Sequence, residues 1–347
     1  MREQLLCNAL PNKRWPIAPK VMALLIACVW QSAFAASQGL WTLDGNGQLA
    51  LVDLPSGKRN SFGGPLSEAG WTLPADGCSP TAVDTTGKWI YTFARASSQP
   101  DSPWSVLAVE LSDGTIRKSY TLPPAFPPSL RACEHTISAD GGWHAYISAV
   151  TRDDIPRLVV LRCLFTWPQS DDCTFIADTA ALTLGVGAGA PIPTSSVSDR
   201  TLWLSLAGGL VGFNVNVSQP DAVPRTWLFP HGAEVVGGLQ YDLAGRHTYV
   251  MLRSSAGLFL RRFLDSGTGE LHVHTVPGNL SGAPRSPSYV TVFSDKNALG
   301  FVEASGNLVT VNLTDAARVL TSIPKWCGAE AGDPCPLLIV YEPFVFK

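Results

Sequence analysis

Few residues in this 347-residue chain have the types and spacing for chemistry. Glu134 and His135 stand side by side, a carboxylate and an imidazole that could act as a general acid/base pair, since histidine titrates near neutrality. His272 and His274 in "HVH" are an i, i+2 pair of the kind that chelates a metal. Both pairs meet the same obstacle in an extended chain. Neighbouring strand residues point to opposite faces, which would part Glu134 from His135, and an outer strand would leave the two histidines solvated. No G-x-S-x-G elbow occurs, and "GVGAGAP" lacks the Lys-Ser/Thr ending of a phosphate loop. No metal site is expected.

These residues lie in a chain of short strands and turns. Gly (31) and Pro (27) are abundant and only 15% of residues are charged. Five segments share a strand, a turn around Asp, and a second strand rich in aromatic and β-branched residues: "TAVDTTGKWIYTFA", "TISADGGWHAYISA", "SSVSDRTLWLSLAG", "LQYDLAGRHTYVML" and "VTVFSDKNALGFVEA". Their aspartates, Asp84, Asp140, Asp199, Asp242 and Asp295, are spaced by 56, 59, 43 and 53 residues. A period of that size without helical pattern points to radially repeated sheets. A third strand and usually a fourth follow each pair, as in "SVLAVELSDGTIRKSYTL", where Leu107, Val109 and Leu111 alternate as in a half-buried strand.

The expected fold is therefore all-β, a β-propeller of four-stranded blades. "GLWTLDGNGQLALVDLPSGKRNSF" supplies three strands of one blade, and "PLLIVYEPFVFK" supplies the missing one. Joining the ends makes six blades and removes exposed sheet edges. A seventh requires strands hidden in "GGPLSEAGWTLPADG".

The turn "DTTGKW" has two readings. It is similar to the docking repeat of pyrroloquinoline-quinone dehydrogenases, but there the turn falls between the third and fourth strands of a unit. Here it falls between the first and second, and "DLAGRHTY" repeats it with Asp242, Gly245, Arg246 and Tyr249 in the register of Asp84, Gly87, Lys88 and Tyr91. Asp opens such a turn by bonding its own backbone, and Gly accepts the positive φ of the reversal. The repeat is a folding signal, and no cofactor is expected. The D-x-x-G-K/R-x-x-Y turn followed by a "V-x-L-x-x-G" hairpin resembles bacterial extracytoplasmic propellers of the YVTN-repeat and lactonase-like type. That resemblance covers most of residues 39–342 and implies fold. Its members include lactone hydrolases, electron-transfer subunits and binding platforms, so it does not choose an activity.

At the N-terminus, Arg2, Lys13, Arg14 and Lys20 precede "VMALLIACVW", followed by small residues at Ala33 and Ala35. This reads as a signal peptide over residues 1–35, leaving one propeller domain over 36–347 and a periplasmic or secreted location. "LIAC" also resembles a lipobox, with Cys28 as the alternative lipid anchor. The mature chain would carry 21 basic against 27 acidic residues, a formal charge of −6, and no basic patch for nucleic acid. Six cysteines would remain, an even set suited to an oxidising compartment. Short spacing pairs Cys163 with Cys173 and Cys327 with Cys335, and elimination pairs Cys78 with Cys133.

Function is expected at the mouth of the ring or on its loops. Glu134, His135, Gln240 and Tyr289 fall at expected starts of inner strands, while Trp104, Asp153, Asp154 and Trp167 fall on long loops, where recognition concentrates. The expected role is a binding or scaffold module for a protein or small molecule. The alternative is a lactonase-like hydrolase using Glu134 and His135.

Overall fold

The structure is a computed structural model. It describes residues 39–342 except 54–57, 75–80, 84–88, 100–101, 124–134, 141–143, 153, 166–171, 181–186, 188–191, 193, 199–200, 207, 216–224, 230–231, 243–246, 266–270, 277–279, 281, 286–289, 294–296, 316–318, 325 and 328–336. The expected signal segment thus lies outside the described residues.

Six antiparallel sheets form the molecule. Blade 1 holds β1 (Gly39–Leu43), β2 (Leu49–Asp53) and β3 (Arg59–Phe62). A two-residue strand, β4 (Trp71–Thr72), comes next, and then blade 2 with β5 (Thr81–Val83), β6 (Trp89–Ala96), β7 (Ser105–Glu110) and β8 (Ile116–Thr121). Blade 3 is β9 (His135–Ala139), β10 (His144–Val150), β11 (Arg157–Leu164) and β12 (Asp172–Ala180). Blade 4 is β13 (Ser195–Ser198), β14 (Thr201–Leu206), β15 (Gly209–Asn214) and β16 (Arg225–Leu228). Blade 5 is β17 (Glu234–Asp242), β18 (His247–Ser254), β19 (Gly257–Asp265) and β20 (Leu271–Thr275). Blade 6 is β21 (Val290–Phe293), β22 (Ala298–Val302), β23 (Leu308–Asn312) and β24 (Val319–Ile323), after which β25 (Leu337–Glu342) completes blade 1 in the order β25-β1-β2-β3.

The innermost strands β5, β9, β13, β17, β21 and β25 each touch the next, and β25 touches β5, so the ring is closed. It is closed by the last strand pairing with the first, Leu43 opposite Leu337 and Gly39 opposite Glu342. Among its described residues, the stretch that could have hidden a seventh blade supplies only β4, an addition to the end of β6 with Trp71 opposite Ala96. Residues 84–88 of "DTTGKW" lie outside the described residues, but the segment falls between β5 and β6, the first and second strands of its blade.

The apolar core consists of six slabs, each between two neighbouring blades. Side chains on successive strand positions point to opposite faces, so a middle strand feeds two slabs at once. In β6, Ile90 and Ala94 pack toward blade 1 while Tyr91 and Phe93 pack toward blade 3. In β7, Leu107 and Val109 face blade 1 and Val106 and Ala108 face blade 3. The alternation at Leu107 and Val109 is therefore not a half-buried strand: the positions between them are buried too, because the next blade covers that face.

This meander gives the ring two ends. At the front the inner strands begin and second strands turn into third strands. At the rear, first strands turn into second and third into fourth.

Candidate functional site

The site builds up at the front of blades 2 and 3. His135 is the first residue of β9 and is 1% exposed. Period-two geometry turns it into the slab between blades 2 and 3, where its ring meets that of Phe93 edge-on at 6.0 Å. Burial, and secondarily the charge of Arg152, push its pKa from 6.5 down to about 3. The imidazole is thus neutral and sealed at neutral pH. Glu134 lies outside the described residues.

Trp104 comes next. Expected on an exposed loop, it is 8% exposed and part of the same slab. The hairpin is longer than the sequence suggested: β6 runs to Ala96, and Trp104 abuts the Ala94–Ser105 pair on the face shared by Val106 and Ala108. Its carbonyl accepts the Leu122 N–H at 2.8 Å, and the Arg95 guanidinium stacks over the indole with Cζ 4.4 Å from the ring centroid. The indole Nε1–H is buried without a hydrogen-bond acceptor, and the Ser102 hydroxyl, on the same loop, is likewise buried without a partner.

The β10–β11 loop completes the front of blade 3. The Thr151 N–H donates to the Arg157 carbonyl at 2.8 Å, and the Arg157 N–H donates to the Thr151 hydroxyl at 2.9 Å. Pinned at both ends, the loop turns Arg152, Asp154 and Ile155 outward, Ile155 being 66% exposed.

Hydroxyl groups stitch the inner strands beside this site. Ser195 on β13 bonds Thr136 at 2.8 Å and also Ser138, both on β9, and the Leu239 N–H of β17 donates to Thr194 Oγ1 at 2.8 Å. Inner strands of blades 3, 4 and 5 are thus held by short polar side chains, which fit where strands converge on the axis.

The repeated Asp turn has a different role at the rear. The Asp140 carboxylate accepts the His144 N–H at 3.2 Å and the Tyr146 hydroxyl at 2.7 Å, and lies 3.1 Å from His144 Nδ1. Arg162 on β11 reaches His144 Nε2 at 2.8 Å, so His144 donates through Nδ1 and accepts through Nε2. Burial, then the Asp140 charge, raises the Tyr146 pKa above its ordinary value. One turn aspartate thereby ties the first turn to the second and third strands. Blade 5 repeats the register, with Tyr249 opposite Arg262 and the His247 and Tyr249 rings 6.3 Å apart, matching Tyr146 opposite Arg162 and 6.2 Å in blade 3. Sequence reading found the turn aspartate of this network, and Tyr249 of its counterpart in blade 5, but missed Tyr146 and the arginines, which stand across a strand pair rather than along the motif.

The other expected residues scatter. Gln240 faces Tyr249 two residues before the end of β17, toward the rear, because that strand begins at Glu234 and not at Gly238. Asp153, Trp167 and Tyr289 lie outside the described residues. Trp104 and Asp154 both follow second strands and share the front. Cys163 and Cys173 form a disulfide between directly opposed residues of β11 and β12, with Cα atoms 4.1 Å apart. Cys327 is also disulfide-bonded. Cys78, Cys133 and Cys335 lie outside the described residues. Among the described residues, no three His, Cys, Asp or Glu side chains gather as a metal site would require.

With the fold and site in place, comparison with known proteins places the chain among β-propellers. No family model and no curated protein sequence matches it. Among solved structures it is similar to a quinonprotein alcohol dehydrogenase-like protein from Bacteroides thetaiotaomicron, with TM-score 0.51 and 10% identity over 82% of this chain and 63% of that one. It is also similar to Mala s 1, the major allergen of Malassezia sympodialis, with TM-score 0.51 and 10% identity over 87% of this chain and 89% of that one. The chain thus spans less than two thirds of the first of these. At such identities the likeness bears on the fold alone and establishes nothing of activity; the six blades are those of the sheet topology.

Proposed function

We propose that this propeller is an exported binding module that recognises its partner with the front of blades 2 and 3. The observation that carries this reading is the contrast within blade 3. His135, on which a hydrolase would depend, is sealed and neutral, while the adjoining loop is pinned at both ends and holds Ile155 and Asp154 in solvent. A general base must reach the proton it abstracts, and a histidine 1% exposed against Phe93 does not. A rigid loop carrying an apolar side chain beside charges is suited to recognition. The Cys163–Cys173 bridge supports export, since disulfides persist in oxidising compartments.

The test is a photo-crosslinking residue placed at position 155, with position 319 as control because Val319 is also exposed (47%) but lies on the outer strand of blade 6. In extracts of the source organism, a discrete adduct from 155 and none from 319 is expected. Turnover of a lactone or ester by the purified protein, lost in Glu134→Gln, would instead establish the hydrolase.

A further inference from the structure

We propose that the Cys327 disulfide is a redox latch on the seam of the ring, opened by a dithiol reductant in preference to the Cys163–Cys173 bridge. Its place in the fold is the first ground. Cys327 follows the outer strand of blade 6 and packs with Trp326 in the slab between Leu40 and Val52 of blade 1 and Ala298, Val302 and Leu308 of blade 6. That is the slab the last strand closes. Arg59 of blade 1 donates to the Trp326 carbonyl at 3.3 Å and lies over its ring at 5.3 Å, while the Cys327 N–H donates to the Gly306 carbonyl of blade 6 at 3.1 Å. Cys327 is disulfide-bonded, and its expected partner, Cys335, lies outside the described residues, two positions before β25 in the chain. With that partner the bond ties the approach to the closing strand to this slab.

The second ground is what surrounds the sulfur. Arg285 Nη1 lies 3.6 Å from Cys327 Sγ, and the arginine is fixed by its own N–H, which donates to the Val302 carbonyl at 2.7 Å, and by the β-bridge between Pro284 and Glu303. A guanidinium beside a sulfur favours the thiolate, which makes that sulfur the better leaving group in thiol–disulfide exchange. The Gly306 carbonyl, 3.8 Å from the same sulfur, is placed to accept from the thiol. Both protonation states of reduced Cys327 thus have a partner in place, and a disulfide whose reduced form is stabilised is the more easily reduced. Cys163 has the opposite setting: it is 1% exposed among Ala145, Val159 and Leu161, and burial in apolar surroundings disfavours a thiolate.

In the opening step a thiolate of the dithiol attacks the sulfur bonded to Cys327, the S–S bond breaks, and Cys327 leaves as a thiolate facing Arg285. The second thiol of the reductant then displaces the partner cysteine and the reductant departs as a disulfide, so two electrons pass to the protein and both of its cysteines end reduced. Strand pairing and packing alone then hold β25.

The experiment equilibrates the purified full chain in dithiothreitol buffers of graded reduced-to-oxidised ratio, blocks free thiols with one alkylating reagent, and labels the remainder with a second after complete reduction. Peptide mass spectrometry reads each cysteine. Cys327 is expected to be half reduced at a ratio about tenfold or more below that of Cys163, equal to about 30 mV for a two-electron couple, with Cys335 titrating alongside it. Arg285→Gln should move the Cys327 midpoint about tenfold toward more reducing buffers and leave Cys163 unmoved, whereas Arg285→Lys, which keeps the charge, should move it less. At a ratio that reduces Cys327 alone, hydrogen exchange should rise in β25 and in its partner β1 and stay unchanged in β14. Reduction of Cys163 first or at the same ratio would overturn the proposal, as would a wild-type midpoint in Arg285→Gln, titration of Cys327 with a cysteine other than Cys335, or unchanged exchange in β25. The wild-type order of reduction and the exchange need no variant, so they decide the outcome even where Arg285→Gln does not fold.

Discussion

At the scale of single residues, His135 makes stability depend on pH. A base whose folded pKa is depressed destabilises the fold as pH falls, because the unfolded chain takes up a proton at 6.5 that the folded one refuses until about 3. The contribution is fully favourable above 6.5 and is lost progressively between 6.5 and 3. At pH 5 the loss is about 2 kcal/mol. Urea titrations of wild type and His135→Leu at pH 7.5 and 5 should show the wild type losing about that much more than the variant; equal losses would mean that the imidazole is hydrated. Asp140 offers a second prediction. Asp140→Ala removes the acceptor of the Tyr146 hydroxyl and of the His144 N–H groups and should cost about 2–4 kcal/mol, whereas Asp140→Asn, which keeps an acceptor, should cost less than half of that in the same titrations.

At the scale of elements, contacts between blades are made by backbone as well as by side chains. Gly63 and Gly114 press back to back where blade 1 meets the β7–β8 turn, both at positive φ (61° and 71°). A Cβ on Gly114 would lie 2.6 Å from the Phe62 carbonyl oxygen, which is part of the backbone and cannot rotate away. Gly114→Ala is expected to lower stability by about 2–3 kcal/mol, the sum of left-handed strain and displaced backbone. Calorimetry should show the drop; an unchanged midpoint would mean the turns slide apart at no cost. Blade 3 is stapled differently. The Cys163–Cys173 bridge closes a short loop between paired strands, and its removal by a double Cys→Ala exchange should cost about 2–3 kcal/mol. Hydrogen exchange should localise the loosening to β12.

At the scale of the whole molecule, stability depends on closure. Each apolar slab needs a blade on both sides, so an open ring exposes two slab faces and a strand edge. Ending the chain at residue 336 removes β25, uncovers β1 and breaks the contacts of β25 with β5 and β21. The shortened chain is expected to lose its single cooperative unfolding transition and to self-associate on size-exclusion chromatography. A monomer with the full-length midpoint would show that five complete blades suffice. Cys327 lies just ahead of β25 and joins the slab between blades 6 and 1, where Arg59 donates to the Trp326 carbonyl at 3.3 Å, so the closing segment is anchored before it pairs.

The sequence by itself determined the blade count, the closing strand and the place of the Asp turn between first and second strands. These rest on local turn chemistry and on periodicity along the chain. The Cys163–Cys173 pairing was equally legible, since a spacing of ten residues closes a short loop. Only the tertiary structure decided which faces were buried. Trp104 was expected in solvent because its loop is polar, yet the next blade covers it, and Gln240 fell from the mouth because its strand begins four residues earlier than expected. Arg162 closing the Asp140 network and Arg95 on the indole both reach across from the paired strand of the same blade, a contact that follows from register and not from the motif. Burial by a neighbour is a property of the closed ring, and no window of sequence contains it.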